Sequence, residues 1–255
     1  MFVSRHHSSD DASAVSCLLG KGLSDYEIGR RTGISRSSVQ RWRTEGIPRR
    51  GCNGPSEWRP TDPRSYCYLL GIYLGDGYLS KASTRSPVLE ISLDPRYPGI
   101  VDECLASIQC TVGAKPRVSR RTTPKGEAIR LVATSPLWML AFPQYGIGKK
   151  HERTIALADW QQHLVDRFPR QFLRGLIQAD GSRVINRFRV GLASGSREYA
   201  YPRYFFTNLS TDIQRLFCES CTRLEIRWTR SNYKNISVAD RRSVALLDSF
   251  VGPKS

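Results

Sequence analysis

The chain has 255 residues, enough to bury a substantial core, and its length fits one large domain with a small accessory module. With 39 Lys and Arg against 23 Asp and Glu, its formal net charge of +16 selects polyanions as partners, nucleic acid ahead of acidic membranes or acidic proteins. No apolar run reaches the roughly 20 residues of a membrane helix and the opening Met1-Phe2-Val3-Ser4-Arg5 lacks the plan of a secretory signal, so a cytoplasmic, nucleoid-associated protein is expected, with no membrane partner.

Residues 9–45 carry three short helical stretches. Ala14, Val15, Leu18 and Leu19 line the first, Tyr26 and Ile28 the second, Val39 and Trp42 the third. Ser24 and Glu27 have the spacing of a capping box, and Ser35 is placed to cap the third helix. Between them Thr32-Gly33-Ile34 makes a tight turn in which Gly33 takes the left-handed backbone and Ile34 drops into the shared core.

This segment resembles the small helix-turn-helix modules of resolvases and bacterial regulators, and is taken as a domain over residues 1–47. The resemblance implies that the third helix reads DNA, with Arg36, Ser37, Gln40, Arg41 and Arg43 reaching base edges and phosphates. The same geometry also serves as a protein-interaction hairpin. Residues 48–60, rich in Gly, Pro and Arg, read as a basic linker whose Arg49 and Arg50 can follow a phosphate backbone.

The next element is duplicated: Leu69-Leu70-Gly71-Ile72-Tyr73-Leu74-Gly75-Asp76-Gly77 is echoed by Leu173-Arg174-Gly175-Leu176-Ile177-Gln178-Ala179-Asp180-Gly181. Each copy is a helix that opens near a proline, Pro63 or Pro169, and closes on an acid and a glycine. Gly71 with Gly75, and Gly175 with Ala179, strip bulk from one stripe of each helix and allow two backbones to approach closely. Helices crossing there bring Asp76 and Asp180 side by side, where two carboxylates repel unless a divalent cation lies between them. Mg²⁺ is the expected cation, and the arrangement suits phosphodiester hydrolysis.

These residues resemble the LAGLIDADG, or dodecapeptide, homing endonucleases over about residues 60–252, the second copy closely and the first more loosely at Tyr73, Leu74 and Gly75. The resemblance implies that Asp76 and Asp180 are catalytic metal ligands and that Gly71, Gly75, Gly175 and Ala179 form the helix contact. Leu74 and Gln178 replace an earlier acid that the family does not use for metal. An α+β fold is implied, an αββαββα unit repeated about a pseudo-twofold axis, with halves at 61–150 and 151–255. A lone Asp-Gly reads equally well as a helix-ending turn; two in matched surroundings do not.

The flanks follow that plan. In the first half Val88–Leu93 reads as a strand, 97–109 as a helix, 116–121 and 128–134 as paired strands, and 136–142 as a short closing helix. In the second half 204–209, 211–224, 226–231, 236–239 and 244–250 repeat the order. The family's sheets form a saddle on the DNA major groove, which makes Arg117, Arg120 and Arg121 in one half, and Arg183, Arg187, Arg189, Arg227 and Arg230 in the other, candidates for DNA contact. Any one of them also reads as merely solvated.

Between the halves, Tyr145-Gly146-Ile147-Gly148-Lys149-Lys150-His151 resembles the Gly-Lys-Lys segment of intein-type members. Lys149 and Lys150 are thereby candidates to stabilise charge at a scissile phosphate, or else residues of a basic surface linker. The seven Cys form no evident framework, and Cys218-Glu219-Ser220-Cys221 lacks two further zinc ligands.

An intein is not expected from a chain running from Met1 to Gly252-Pro253-Lys254-Ser255. The resemblance implies a freestanding endonuclease that binds a long double-stranded DNA site as a monomer, without an obligate protein partner, and cuts both strands. The alternative is a transcriptional regulator that keeps the saddle and binds DNA without cutting. Retention of both acids favours the nuclease.

Overall fold

The computed structural model describes residues 9–46, 58–80, 86–113, 115–123, 126–192, 195–252 and 254, and falls into two units, Met1–Trp58 and Arg59–Ser255. Most of the expected linker, including Arg49 and Arg50, lies outside the described residues.

The first unit consists of α1 (Ser9–Gly20), α2 (Asp25–Thr32) and α3 (Arg36–Glu45). Ser24 Oγ accepts the Glu27 N–H at 3.3 Å and Ser35 Oγ accepts the Ser38 N–H at 3.2 Å, so each helix starts on a satisfied donor. Only half of the capping box forms, because the Glu27 carboxylate pairs with Arg31 at 3.2 Å instead. Gly33, at φ +70°, ends α2 and returns its N–H to the Gly29 carbonyl. Val15, Ile28, Ile34, Val39 and Trp42 make the core, with Leu18, Leu19 and Leu23 around it. Tyr26, expected inside, is 68% exposed. Two residues before buried Ile28, it stands on the opposite side of a 3.6-residue helix.

The second unit runs α4 (Pro63–Asp76), β1 (Gly77–Ser80), β2 (Val88–Leu93), α5 (Pro98–Val112), β3 (Arg117–Thr123), β4 (Gly126–Thr134) and α6 (Trp138–Ala141). It continues with α7 (Asp159–Arg167), α8 (Pro169–Asp180), β5 (Gly181–Leu192), β6 (Gly195–Thr207), α9 (Thr211–Arg223), β7 (Thr229–Arg230), β8 (Asn235–Val238) and α10 (Arg241–Asp248). Its two antiparallel sheets have matching orders, β1-β2-β4-β3 and β5-β6-β8-β7. Helix α7 was not expected; of its residues Gln161 and Val165 are buried, and a buried Gln disguises the apolar face.

Helices α4 and α8 cross at the small residues. A Cβ on Gly71 would sit 2.5 Å from the Phe172 carbonyl oxygen, and one on Gly175 would collide with that of Tyr68. Nearer the helix ends the Ala179 methyl fills the space that a side chain on Gly75 would need. The Tyr68 hydroxyl donates to Gln178 Oε1 at 2.6 Å across the same buried seam. Strand alternation then turns Leu79, Leu89, Ile91, Leu131 and Ala133 in one half, and Tyr204, Phe206, Ile236 and Val238 in the other, onto the helices. Among the described residues no helix is long and apolar enough to cross a membrane.

Candidate functional site

Each motif helix ends on its acid and the chain doubles back at once into a strand. A Cβ on Gly77 would fall 2.7 Å from Tyr73 Cα, and one on Gly181 would fall 2.6 Å from the Ile177 carbonyl oxygen. Only glycine permits so sharp an exit, which leaves Asp76 and Asp180 at the end of the crossed pair. Burial, and then the negative charge of Asp180, push the Asp76 carboxyl up to about 7, against the pull of Lys150 and Lys254. Burial raises Asp180 too, opposed first by Asn208, whose side-chain amide donates to Oδ2 at 2.7 Å. The two acids form a dehydrated like-charge pair that holds a proton more readily than free carboxylates do.

Lys150 closes the end of α4. Its Nζ donates to the carbonyls of Tyr73 at 2.6 Å, Gly75 at 3.3 Å and Gly77 at 2.5 Å, and lies 5.0 Å from the centre of the Tyr73 ring. Burial pulls its pKa down to about 8, with both acids resisting. A lysine there adds a donor to carbonyls at the end of the helix and complements its negative end. Lys149 points elsewhere: its side chain is 72% exposed and pairs with Glu152 at 3.3 Å.

Sequence reasoning missed the matching residue. Lys254 donates to the Gln178 carbonyl at 2.8 Å near the end of α8, and burial lowers its pKa while Asp76, Asp180 and Asp94 resist. A usable signal existed, since Gly148-Lys149-Lys150 follows α6 as Gly252-Pro253-Lys254 follows α10, a Gly-x-Lys repeated in both halves. Gly148 at φ +83° and Gly252 at φ +68° both take a left-handed φ. Asn208 was also missed. It follows β6 as Asp94 follows β2, and each accepts the N–H two residues on, at 2.8 and 2.9 Å.

Asp180, Lys150 and Asn208 line a cleft of about 530 Å³, together with Tyr78 and Thr207. The last two sit on strand positions that alternate away from the helices, so the cleft opens on the outward faces of the sheets. That parity sorts the candidate arginines. Arg117 pairs in register with Val132, on the outward face that Arg130 shares, whereas the side chain of Arg121 lies outside the described residues. Arg120 pairs with Ile129 on the other face and reaches Glu127 at 3.5 Å.

In the second half parity runs against expectation. Because Gly181 opens β5 facing inward, Arg183, Arg187 and Arg189 all fall on the helix side. Arg183 is bound in two-pronged fashion to Asp248 of α10, at 2.8 and 3.0 Å, and Arg187 and Arg189 flank Glu198 at 3.8 and 3.7 Å. Arg230 is tied to Gln214 of α9, whereas Arg227 is exposed ahead of β7. The outward face carries Arg197 and Arg203 instead, both stacked on aromatic rings. Arg197 lies 5.3 Å from the centre of the Tyr199 ring, and Arg203 lies 5.8 and 5.4 Å from those of Tyr201 and Phe205.

In the first unit Arg36, Ser37, Gln40 and Arg41 are exposed along α3. Arg43 is engaged, pairing with Asp25 at 2.7 Å and donating to the Leu23 carbonyl at 2.6 Å.

No family model and no curated protein matches the chain. Among solved structures it is similar to the homing endonuclease I-WcaI bound to its DNA recognition sequence, at 12% identity over 79% of this chain and 90% of that one, with a TM-score of 0.49. It is also similar to I-DmoI in complex with DNA and Mn, at 13% identity over 74% and 97% of the two chains and a TM-score of 0.44. A third likeness is to full-length DUF199/WhiA from Thermatoga maritima, at 15% identity over 79% of this chain but only 58% of that one, with a TM-score of 0.44. These are coarse likenesses between chains of very different sequence.

Proposed function

We propose that this protein binds double-stranded DNA across the outward faces of its two sheets and hydrolyses phosphodiester bonds at the cleft between them, as a LAGLIDADG-type endonuclease. The observation that carries this reading is the acid pair itself, one carboxylate from each of two crossed helices, each helix end holding a lysine. A structural role explains such a pair poorly, because burying two like charges together costs stability and gives the fold nothing in return.

The donor set fits one kind of ion. Among the described residues no third Asp, Glu, His or Cys joins Asp76 and Asp180, which argues against a closed structural site. Two carboxylates suit a hard divalent cation such as Mg²⁺ that keeps waters and takes phosphate oxygens as its remaining ligands. When bound, such an ion supplies charge stabilisation at the phosphate and acidifies water. The chain's own residues do the rest: Asp76 and Asp180 hold the negative charge, Asn208 orients Asp180, and Lys150 and Lys254 offer positive charge beside the phosphate.

On this reading Arg117, Arg130, Arg197 and Arg203 face the duplex. Arg120, Arg183, Arg187, Arg189 and Arg230 leave the contact set, and Lys149 leaves the catalytic one. The first unit acts as a helix-turn-helix that adds contacts through Arg36, Ser37, Gln40 and Arg41. That unit also supports a second reading, a DNA-binding regulator that does not cut.

Incubation with Mg²⁺ and a randomised duplex library, scoring bound and cut molecules separately, decides between the two. Site-specific cutting lost in both Asp76→Asn and Asp180→Asn is the expected result. Specific binding without cutting, in Mg²⁺ or Mn²⁺, would leave the regulator.

A further inference from the structure

Arg174 breaks the twofold correspondence at a conspicuous place. It precedes the contact residue Gly175 on α8, where α4 has Leu70 before Gly71. Its guanidinium leaves the repeat altogether. Nε and Nη2 grip Glu103 of α5 at 2.8, 3.0 and 2.8 Å, and Nη1 donates to the carbonyls of Phe250 and Val251, both at 2.6 Å. One planar fork thereby joins a helix of the first half to the segment that follows α10 in the second.

That segment carries Lys254. Just beyond the two gripped carbonyls Gly252 turns through φ +68°, and two residues later the Lys254 ammonium meets the Gln178 carbonyl and the charges of both acids. On the way it lies 5.9 Å from the centre of the Tyr97 ring and feels Asp94, both in the first half. Lys150 is anchored differently, by three carbonyls where α4 passes into β1, against one for Lys254. The second lysine has the weaker hold of its own and the external brace.

We propose that Arg174, braced by Glu103, is a positioning residue that sets Lys254 at the acid pair by fixing the backbone at Phe250 and Val251. The proposal rests on the reading of the acid and lysine cluster as the reacting centre. Arg174 bonds to neither acid and acts only through the segment it holds.

The test uses the full chain. Amine acylation read by mass spectrometry compares Lys254 and Lys150 in wild type, Arg174→Met, Arg174→Lys and Glu103→Gln. In Arg174→Met, labelling of Lys254 should rise about tenfold while that of Lys150 stays put, with Arg174→Lys and Glu103→Gln in between. In parallel, single-turnover cleavage should slow by about tenfold in Arg174→Met with DNA affinity unchanged, and should slow no further when Lys254→Met is added.

Equal Lys254 labelling in wild type and Arg174→Met would overturn the proposal, as would Lys150 rising in step, since that is general loosening. If Arg174→Met does not fold, the two milder variants decide the question by the same labelling ratio. A wild type that cuts no DNA would sink the nuclease reading alone, because the labelling still reports whether Arg174 holds Lys254.

Discussion

The two halves of the large unit share an element order but spend their residues differently. At the helix crossing they are close copies: small residue against small residue, an acid at each end, and a Gly-x-Lys segment closing on the last carbonyls. In the strands they diverge. Among the described residues the β1–β2 pairing covers four, Gly77–Ser80, whereas β5 and β6 pair along twelve, Gly181–Leu192, with β8 joining only at Tyr204–Thr207. Close approach and charge balance at the centre admit few solutions, so both halves keep the same one. An outward sheet face meets no such constraint, and there the second half has grown a ribbon bearing Phe188, Tyr199, Tyr201, Arg197 and Arg203.

The largest expected effect comes from breaking the symmetric part. Gly175→Ala drives a methyl into the Tyr68 carbonyl and to 3.0 Å from the Ile72 nitrogen, backbone atoms that cannot swing away. A cost of at least about 4 kcal/mol in thermal or denaturant unfolding is expected, enough to unseat the helix pair. Gly191→Ala, on the ribbon, meets nothing within 4 Å and should stay within about 0.5 kcal/mol of wild type. Comparable losses in the two variants would mean that the crossing is not the keystone of this unit.

The acids sharpen the comparison by titration. Asp76 holds its proton up to about pH 7 in the fold, against an ordinary 3.8, so the folded state binds a proton that the unfolded chain has lost. In the metal-free protein the stability that this group contributes is therefore full below about pH 4 and is lost as pH rises through 7, by roughly 2–3 kcal/mol once residual hydration is allowed for. Lys150 works in the opposite sense at higher pH. Its value near 8 lies below the usual 10.5, so stability recovers between the two, where the folded chain has shed that proton and the unfolded chain still holds it. Melting in a chelator from pH 4 to 8 should show the decline in wild type and a flattened curve in Asp76→Asn. Added Mg²⁺ should raise the wild-type melting temperature most at the upper end, where cation and proton no longer compete. A Mg²⁺ response that survives Asp76→Asn would remove the acid pair as its site.

How far the sequence foretold this structure follows the same line. The helix pair was legible because a 3.6-residue period, two spaced small residues and an acid before glycine leave one way to pack. Strands β2, β3, β4, β7, β8 and the end of β6 were located, and β1 and β5 were given no bounds. The faces of the arginines were missed because parity hangs on a single residue at the strand start and one step reverses every side chain. Gly181 facing inward sent Arg183, Arg187 and Arg189 to the helix side, and the outward Arg197 and Arg203 lie on β6 upstream of Tyr204, where the expected strand began. Lys254 stayed hidden because no distance along the chain reveals that it returns to acids 74 and 178 residues upstream. Only the repeated Gly-x-Lys pointed to it.

Parity itself can be tested on DNA. Arg203→Ala removes an outward guanidinium that two aromatic rings hold in place, and should weaken binding by about tenfold while lowering the salt dependence by about one phosphate contact. Arg187→Ala, on the opposite face beside Glu198, should change affinity by less than about twofold. The reverse ranking, measured by titration at several salt concentrations, would put the duplex on the helix side.

The smallest effects are expected in the first unit, where the division between holding the fold and meeting a partner runs through one helix. Arg43 is committed to Asp25 and the Leu23 carbonyl, joining α3 to the start of α2, whereas Arg41 is exposed. Arg43→Ala should cost this unit about 1 kcal/mol, because it leaves a carbonyl and a partly covered carboxylate without their donor. Arg41→Ala should leave melting unchanged and weaken DNA binding a few-fold, about 0.5–1 kcal/mol per surface charge facing phosphate. Both losses are small enough to need paired measurement of unfolding and binding on the same preparations. If Arg41→Ala alters neither, α3 does not touch DNA, and this three-helix unit is better read as a surface for another protein.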